Sequence, residues 1–230
     1  MMTDTLARRF TGWACVAAAL ALILEVPLYF VYDGPPPDSN VLARLLIGVL
    51  ALGFLLLFFT GFRELVRAVD HRYAWAGNIA YTAGVAYTVI TLVSSGLEAG
   101  AVIATDHPID PTIAVSGTYI LYGTIGRMLV TMFLAAMAYV ITKTRVLPRW
   151  TGYTAFALAA INLAFMPSLF FGNDPSFFYA ANGWGTTASL GAVLSYWLLA
   201  TGIATDRSAR RARHAGAVSA PAGSVSTLPR

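Results

Sequence analysis

R-R-F-T-G-W-A-C-V-A-A-A-L-A-L-I-L-E-V-P-L-Y-F-V-Y-D-G-P, from Arg8 to Pro35, decides how this chain is read. Two arginines, an aromatic anchor and a Thr-Gly pair lead into an apolar run that lasts to about Tyr32. A helix needs about 20 apolar residues to cross the hydrocarbon core of a bilayer, and this run supplies them. The stretch returns from Pro148 to Pro175 as P-R-W-T-G-Y, an apolar run, then A-F-M-P-S-L-F-F-G-N-D-P. The offset between the copies is a constant 140 residues. Arg9, Thr11, Gly12, Pro27, Phe30 and Pro35 meet Arg149, Thr151, Gly152, Pro167, Phe170 and Pro175. A fainter copy of the opening, W-A-G-N, stands at Trp75–Asn78.

Composition agrees with a membrane protein. The chain is 57% hydrophobic and 11% charged, where soluble domains carry about 25% charged residues. After the first run, apolar stretches fall at about Val41–Phe62, Tyr73–Glu98 or somewhat beyond, Ile113–Ile141, Trp150–Phe171 and Tyr179–Ile203. The first run is longer than the 7–15-residue core of a signal peptide, and no small-x-small cleavage site follows it, so it is expected to stay as a span. The expected fold is all-α: a polytopic membrane protein of six transmembrane helices arranged as three tandem hairpins. A polar lead covers residues 1–9, the six-helix domain 10–203, and a disordered basic tail 204–230.

Orientation follows from the basic residues. Arg8 and Arg9 flank the first span, Arg63, Arg67 and Arg72 fill the second connection, and Lys143, Arg145 and Arg149 the fourth. The tail adds Arg207, Arg210, Arg211 and Arg213. The other three connections carry Asp33, Asp38, Asp106, Asp110 and Asp174 and no basic residue. Both termini are therefore expected to be cytoplasmic, in the plasma (inner) membrane. The net charge of +4 belongs to this pattern and gives no nucleic-acid face.

The three copies of aromatic, small residue and glycine are Phe10-Thr11-Gly12, Trp75-Ala76-Gly77 and Trp150-Thr151-Gly152. An aromatic anchors a helix end at the interface, and a glycine one turn in lets a neighbouring backbone approach closely. Duplicated hairpins of one orientation would be related by an axis along the membrane normal. Pro27 and Pro167 would then lie at one depth.

Four charges interrupt the apolar runs: Glu25, Arg44, Glu98 and Arg127. Such residues are costly in lipid, face the bundle interior and seek partners. At 1.5 Å of rise per residue, Glu25 lies about 10 Å and Arg44 about 6 Å from the acidic boundary, on consecutive spans. Arg127 is the deepest and is expected to reach Glu98, Glu25 or a ligand group. Glu98 ends a polar stripe of Tyr87, Thr91, Ser94 and Ser95 at steps of three and four. Asn162, Asn182 and Trp184 complete the polar inventory of that half. The ligand-binding candidates are Arg127, Arg44, Glu25, Glu98, Asn162 and Trp184, and the catalytic candidates are Glu25 and Glu98. Structural ion pairs, Glu25 with Arg44 and Glu98 with Arg127, are the competing reading.

Other chemistry lacks residues. Cys15 is the single cysteine, and His71, His107 and His214 fall outside the apolar runs, so no metal or cofactor site is expected. Lys143, the only lysine, sits at a span end.

The opening R-R-F-T-G-W with L-E-V-P-L-Y-F, the P-R-W-T-G-Y of the fifth span, and six spans after a short lead resemble an uncharacterised family of six-span bacterial membrane proteins, a domain of unknown function. The Ala-, Gly- and Arg-rich composition looks actinobacterial. The resemblance implies no activity. Three function classes stay open: binding or transport of a small amphiphile or lipid in an outward-facing polar pocket, a membrane enzyme acting on a lipid or isoprenoid by acid catalysis, and a non-catalytic partner subunit. An unpaired Glu25 or Glu98 beside aromatics favours the enzyme; a saturated ion pair favours binding or structure.

Overall fold

The structure, a computed structural model, describes residues 2–32 and 34–218. Asp33 and the tail beyond Val218 lie outside the described residues, as does Arg230. Among the described residues, six helices are long and apolar enough to cross a membrane. We label their α-helical parts α1 (Met2–Glu25), α2 (Asp38–Val69), α3 (Ala74–Ile103), α4 (Gly126–Thr144), α5 (Arg149–Phe165) and α6 (Leu190–Val218). No strand occurs among the described residues. The chain is an all-helical, multi-pass membrane protein, as the runs predict.

Two proline-led extensions repeat one local geometry. Past Glu25 the chain tightens into a 3₁₀ segment, Val26–Phe30, with Pro27 in its first turn. Past Phe165 it does the same over Met166–Phe171, with Pro167 in the matching place. Proline has no N–H to donate and its ring crowds the preceding turn, so the α ladder gives way at both sites.

The spans form a ring in the order α1, α2, α3, α4, α5, α6, and α6 packs back on α1 along much of its length. Three glycines seat these contacts. A methyl group on Gly12 would meet the Gly202 carbonyl oxygen and the Asp206 amide of α6, each at 3.0 Å. On Gly77 it would press on Val66 of α2, and on Gly152 on Ile141, Thr142 and Ala138 of α4. Each motif glycine therefore receives the helix before it in the ring, and the first receives the last. The core between the helices is built on Phe58, Phe59, Phe62, Phe133, Leu134 and Met137. Phe59 lies flat against Gly84, where a methyl group would stand 2.6 Å from the ring.

One pair departs from the expected hairpins. The first and second pairs pack closely, whereas α5 and α6 scarcely touch. Between them Trp197 donates its indole N–H to the Thr154 hydroxyl at 3.1 Å. The reason lies in their connection. Residues 172–184 fold over the acidic end instead of closing a tight turn, and Asn182 there donates to the Thr112 carbonyl at 3.0 Å. The sixth span starts at Gly185, later than the expected Tyr179. The fourth starts at Thr118 rather than Ile113, because the one-turn helix Pro111–Ala114 ends in extended backbone at Val115, and Gly117, in a left-handed conformation at φ +93°, redirects the chain into the span.

The basic end is tied together. Arg8 donates to the Val146 carbonyl at 3.0 Å, and Arg63 donates to Asn78 at 2.9 Å. Asp206 pairs with Arg210 at 2.7 Å and Arg9 at 3.6 Å. The tail expected to begin disordered at 204 instead continues α6 as helix to Val218.

Candidate functional site

Glu25, Arg44, Glu98 and Arg127 all fall toward the acidic end of their spans, so the ring brings them to one half of the bundle. Arg44 and Glu98 are 2% and 3% exposed and Arg127 is 6% exposed. The expectation that these charges face inward therefore agrees with their placement.

Their partners differ from the expectation. No ion pair within 4.0 Å joins these four residues. Glu25 instead accepts a hydrogen bond from the Tyr29 hydroxyl at 3.1 Å, one helical turn on. The guanidinium of Arg44 stacks over the Tyr29 ring, 4.1 Å from its centroid. Tyr29 thus stands as a bridge between acid and base, and a cation over a ring face gains about 0.5–2 kcal/mol depending on its desolvation. Gly48, one turn into α2 from Arg44, makes room for the acid: a methyl group there would stand 2.9 Å from Glu25 Oε2.

Arg127 donates from Nη1 to Asn162 Oδ1 at 3.1 Å, and the Asn162 amide donates in turn to the Leu158 carbonyl at 2.8 Å. Its partner is the α5 amide, not Glu98 or Glu25. Glu98 and Arg127 enter from α3 and α4 beside a backbone break. Leu121–Ile125 widens into a π turn in which Gly123 leaves helical geometry at ψ −108°. A second π turn, Gly185–Ser189, opens the sixth span. Wide turns leave carbonyls off the regular ladder, and they recur at functional sites. The two lie side by side: Tyr122 donates to Asn182 Oδ1 at 3.1 Å, and a Cβ on Gly123 would sit 3.4 Å from the Ala181 carbonyl oxygen.

Several buried polar atoms in this half have no hydrogen-bond partner: Arg44 Nε and Nη2, Glu98 Oε1, Arg127 Nε, Thr124 Oγ1 and Ser168 Oγ. Each orphan costs about 1–3 kcal/mol, and more when charged. Chemically, guanidinium donors, a carboxylate acceptor and hydroxyls stand unpaired in this half of the bundle. No cluster of three or more His, Cys, Asp or Glu able to hold a metal occurs among the described residues.

Asn162 and Asn182 join this region, and Trp184 does not. It is 49% exposed and packs edge-on against Phe178, with ring centroids 4.5 Å apart. It belongs to an outward aromatic group with Phe165, Phe171 and Tyr179. Tyr29 and Tyr122 were passed over in the sequence. The available signal was spacing, because Tyr29 lies four residues after Glu25, on the same helix face.

Comparisons with family models, with curated proteins and with solved structures find no match to this chain.

Proposed function

We propose that this membrane protein binds, and in the course of transport passes on, a small amphiphile or lipid whose polar head is received by Arg44, Glu98 and Arg127. The supporting observation is the group of orphaned donors and acceptors on those three residues, gathered in one half of the bundle. Hydrocarbon offers such groups no partner, and a polar head would supply several at once. Asn162 orients Arg127 from behind, while Tyr29 holds Arg44 and Glu25 apart. The acidic loops face outward in this reading, because the basic residues gather at the opposite end. The head then enters from the outer leaflet. The repeated Thr-Gly and proline signatures of α1 and α5 fit a single span duplicated within the chain.

A second reading, acid catalysis on a lipid or isoprenoid, draws on the same residues. Glu25 and Glu98 have no ion-pair partner within 4.0 Å, and Glu25 adjoins Tyr29. A carboxyl group left free of a cation is the form that can donate a proton.

The test is to purify the protein in mild detergent and identify bound amphiphiles by solvent extraction and mass spectrometry. Wild type should carry a defined species in near-stoichiometric amount. Arg44→Ala and Arg127→Ala should lose it while keeping their helical content. A wild-type protein that yields only bulk lipid in bulk proportions would defeat the binding reading. A species retained by Glu98→Gln in altered chemical form would favour the enzyme.

A further inference from the structure

The seam between α5 and α6 opens at the basic end into a cleft of about 610 Å³ lined by Pro148, Trp150, Ala200, Ile203, Ala204 and Arg207. We propose that this cleft is a binding site for an anionic phospholipid, with an acyl chain between the two helices and the phosphate on Arg207. The site is separate from the residues at the acidic end and does not depend on their reading.

Three observations argue for this occupant. The first is shape. The walls from α5 and α6 are apolar apart from Arg207 and Ser208, and the volume lies within the 300–1,000 Å³ range of sites that take small-molecule ligands. Elsewhere in the ring neighbouring spans close on each other, whereas this pair scarcely packs.

The second is charge. Four groups face this turn of α6: Asp206, Arg9, Arg207 and Arg210. Asp206 is occupied by Arg210 at 2.7 Å and Arg9 at 3.6 Å. Arg207 makes no ion pair with any described residue. Its guanidinium is therefore the one of these three left for an outside anion. A smaller cleft of about 260 Å³ on the α1 side of α6 also touches Arg207, but its lining includes Asp206. That carboxylate disfavours a phosphate there, so the anion is directed to the α5 side.

The third is depth. Arg207 follows the apolar part of the sixth span and Trp150 opens the fifth, 46% exposed. A tryptophan at a span end marks the headgroup level. Basic pockets between helices on the cytoplasmic side suit anionic headgroups, each arginine near the surface contributing about 1 kcal/mol.

The experiment uses the full chain, delipidated in detergent and titrated with phosphatidylglycerol or phosphatidylcholine, with bound lipid counted by native mass spectrometry. Wild type is expected to bind phosphatidylglycerol about fivefold or more tightly than phosphatidylcholine. Arg207→Gln, a change at an exposed side chain, should remove that preference. Arg210→Gln should leave it within about twofold. Ala204→Trp, which fills the cleft, should weaken both lipids. Equal binding of the two lipids by wild type would overturn the proposal. So would a preference that survives Arg207→Gln, or full competition by inorganic phosphate, which would assign the site to a free anion.

Discussion

Gly12 and Gly202 meet backbone to backbone, so that a methyl group on either would stand within 3.0 Å of the other's carbonyl oxygen. This contact joins the first span to the last and closes the ring. A methyl group on Gly202 would also stand 2.8 Å from Val16, one turn further along α1, so it meets that helix at two successive residues of one face. Gly202→Ala is therefore expected to destabilise the protein by about 1–3 kcal/mol, the usual cost of overpacking. Gly191→Ala supplies the control, since Gly191 lies on the same helix with open space at its Cβ position. That change should be neutral or stabilising, because alanine favours the helix by about 0.5–1 kcal/mol. Thermal unfolding in detergent compares the two, and equal melting temperatures would remove the close-contact argument.

Arg127 and Asn162 should behave as a coupled pair. Removing Asn162 takes the partner from a buried charge, and removing Arg127 takes the reason for the amide's position. A hydrogen bond to a charged group is worth about 1.5–3 kcal/mol. A double-mutant cycle of Arg127→Ala with Asn162→Ala should give a coupling in that range. The same cycle with Glu98→Gln should be close to additive, because no ion pair links Glu98 to Arg127. Strong coupling to Glu98 and none to Asn162 would reverse this assignment.

Asp70 carries a pH signature at the basic end. It caps the short 3₁₀ turn His71–Tyr73 and accepts hydrogen bonds from the Arg72 backbone N–H and guanidinium. Those bonds, with the charge of Arg72, hold its carboxyl below the usual carboxylate range. A carboxyl depressed by folding stabilises the protein above its unfolded value, about 3.9. That contribution disappears as the pH falls through the lowered folded value. Asp70→Asn should lower the melting temperature slightly at pH 7 and leave it unchanged near pH 2. An effect of the same size at both pH values would exclude an ionic origin.

Orientation can be read by labelling. Cys15 is buried and its thiol faces the Leu198 carbonyl at 3.1 Å, so it should stay silent toward polar reagents and can be replaced as a precaution. A cysteine at Asp38 or Asp106 should react with an impermeant maleimide in intact cells, and one at Arg67 should react only after lysis. The opposite pattern would place the basic end outside.

The six spans were legible because lipid imposes a length and a composition that few other environments demand. The inward placement of Arg44, Glu98 and Arg127 was legible for the same reason, since buried charge tolerates few positions in hydrocarbon. Their partners were not. Arg127 met an amide that the sequence had grouped with it only by depth, and Arg44 met a phenol ring that carries no charge to draw attention. Pairing depends on how helices rotate about their axes, and that rotation follows from packing at sites such as Gly48 and Gly84. The Gly117 break and the two π turns were hidden in the same way. Each sits inside a long apolar run, where periodicity continues through a backbone change. The α5–α6 gap is a property of residues 172–184, whose anchors on Thr112 and Tyr122 come from distant parts of the chain.

The chain is continuous where its helices pack least, between α5 and α6, and interrupted where they pack most, between α6 and α1. In mechanical terms the bundle is a split washer whose cut is bridged by a strap at the acidic end. A load that spreads α5 from α6 at the basic end would be carried by the Trp197–Thr154 bond and by that strap. The α6–α1 contact would be spared. The fifth helix would swing with the fourth as one arm, pivoting on the turn around Gly172, whose φ of +78° needs no side-chain accommodation.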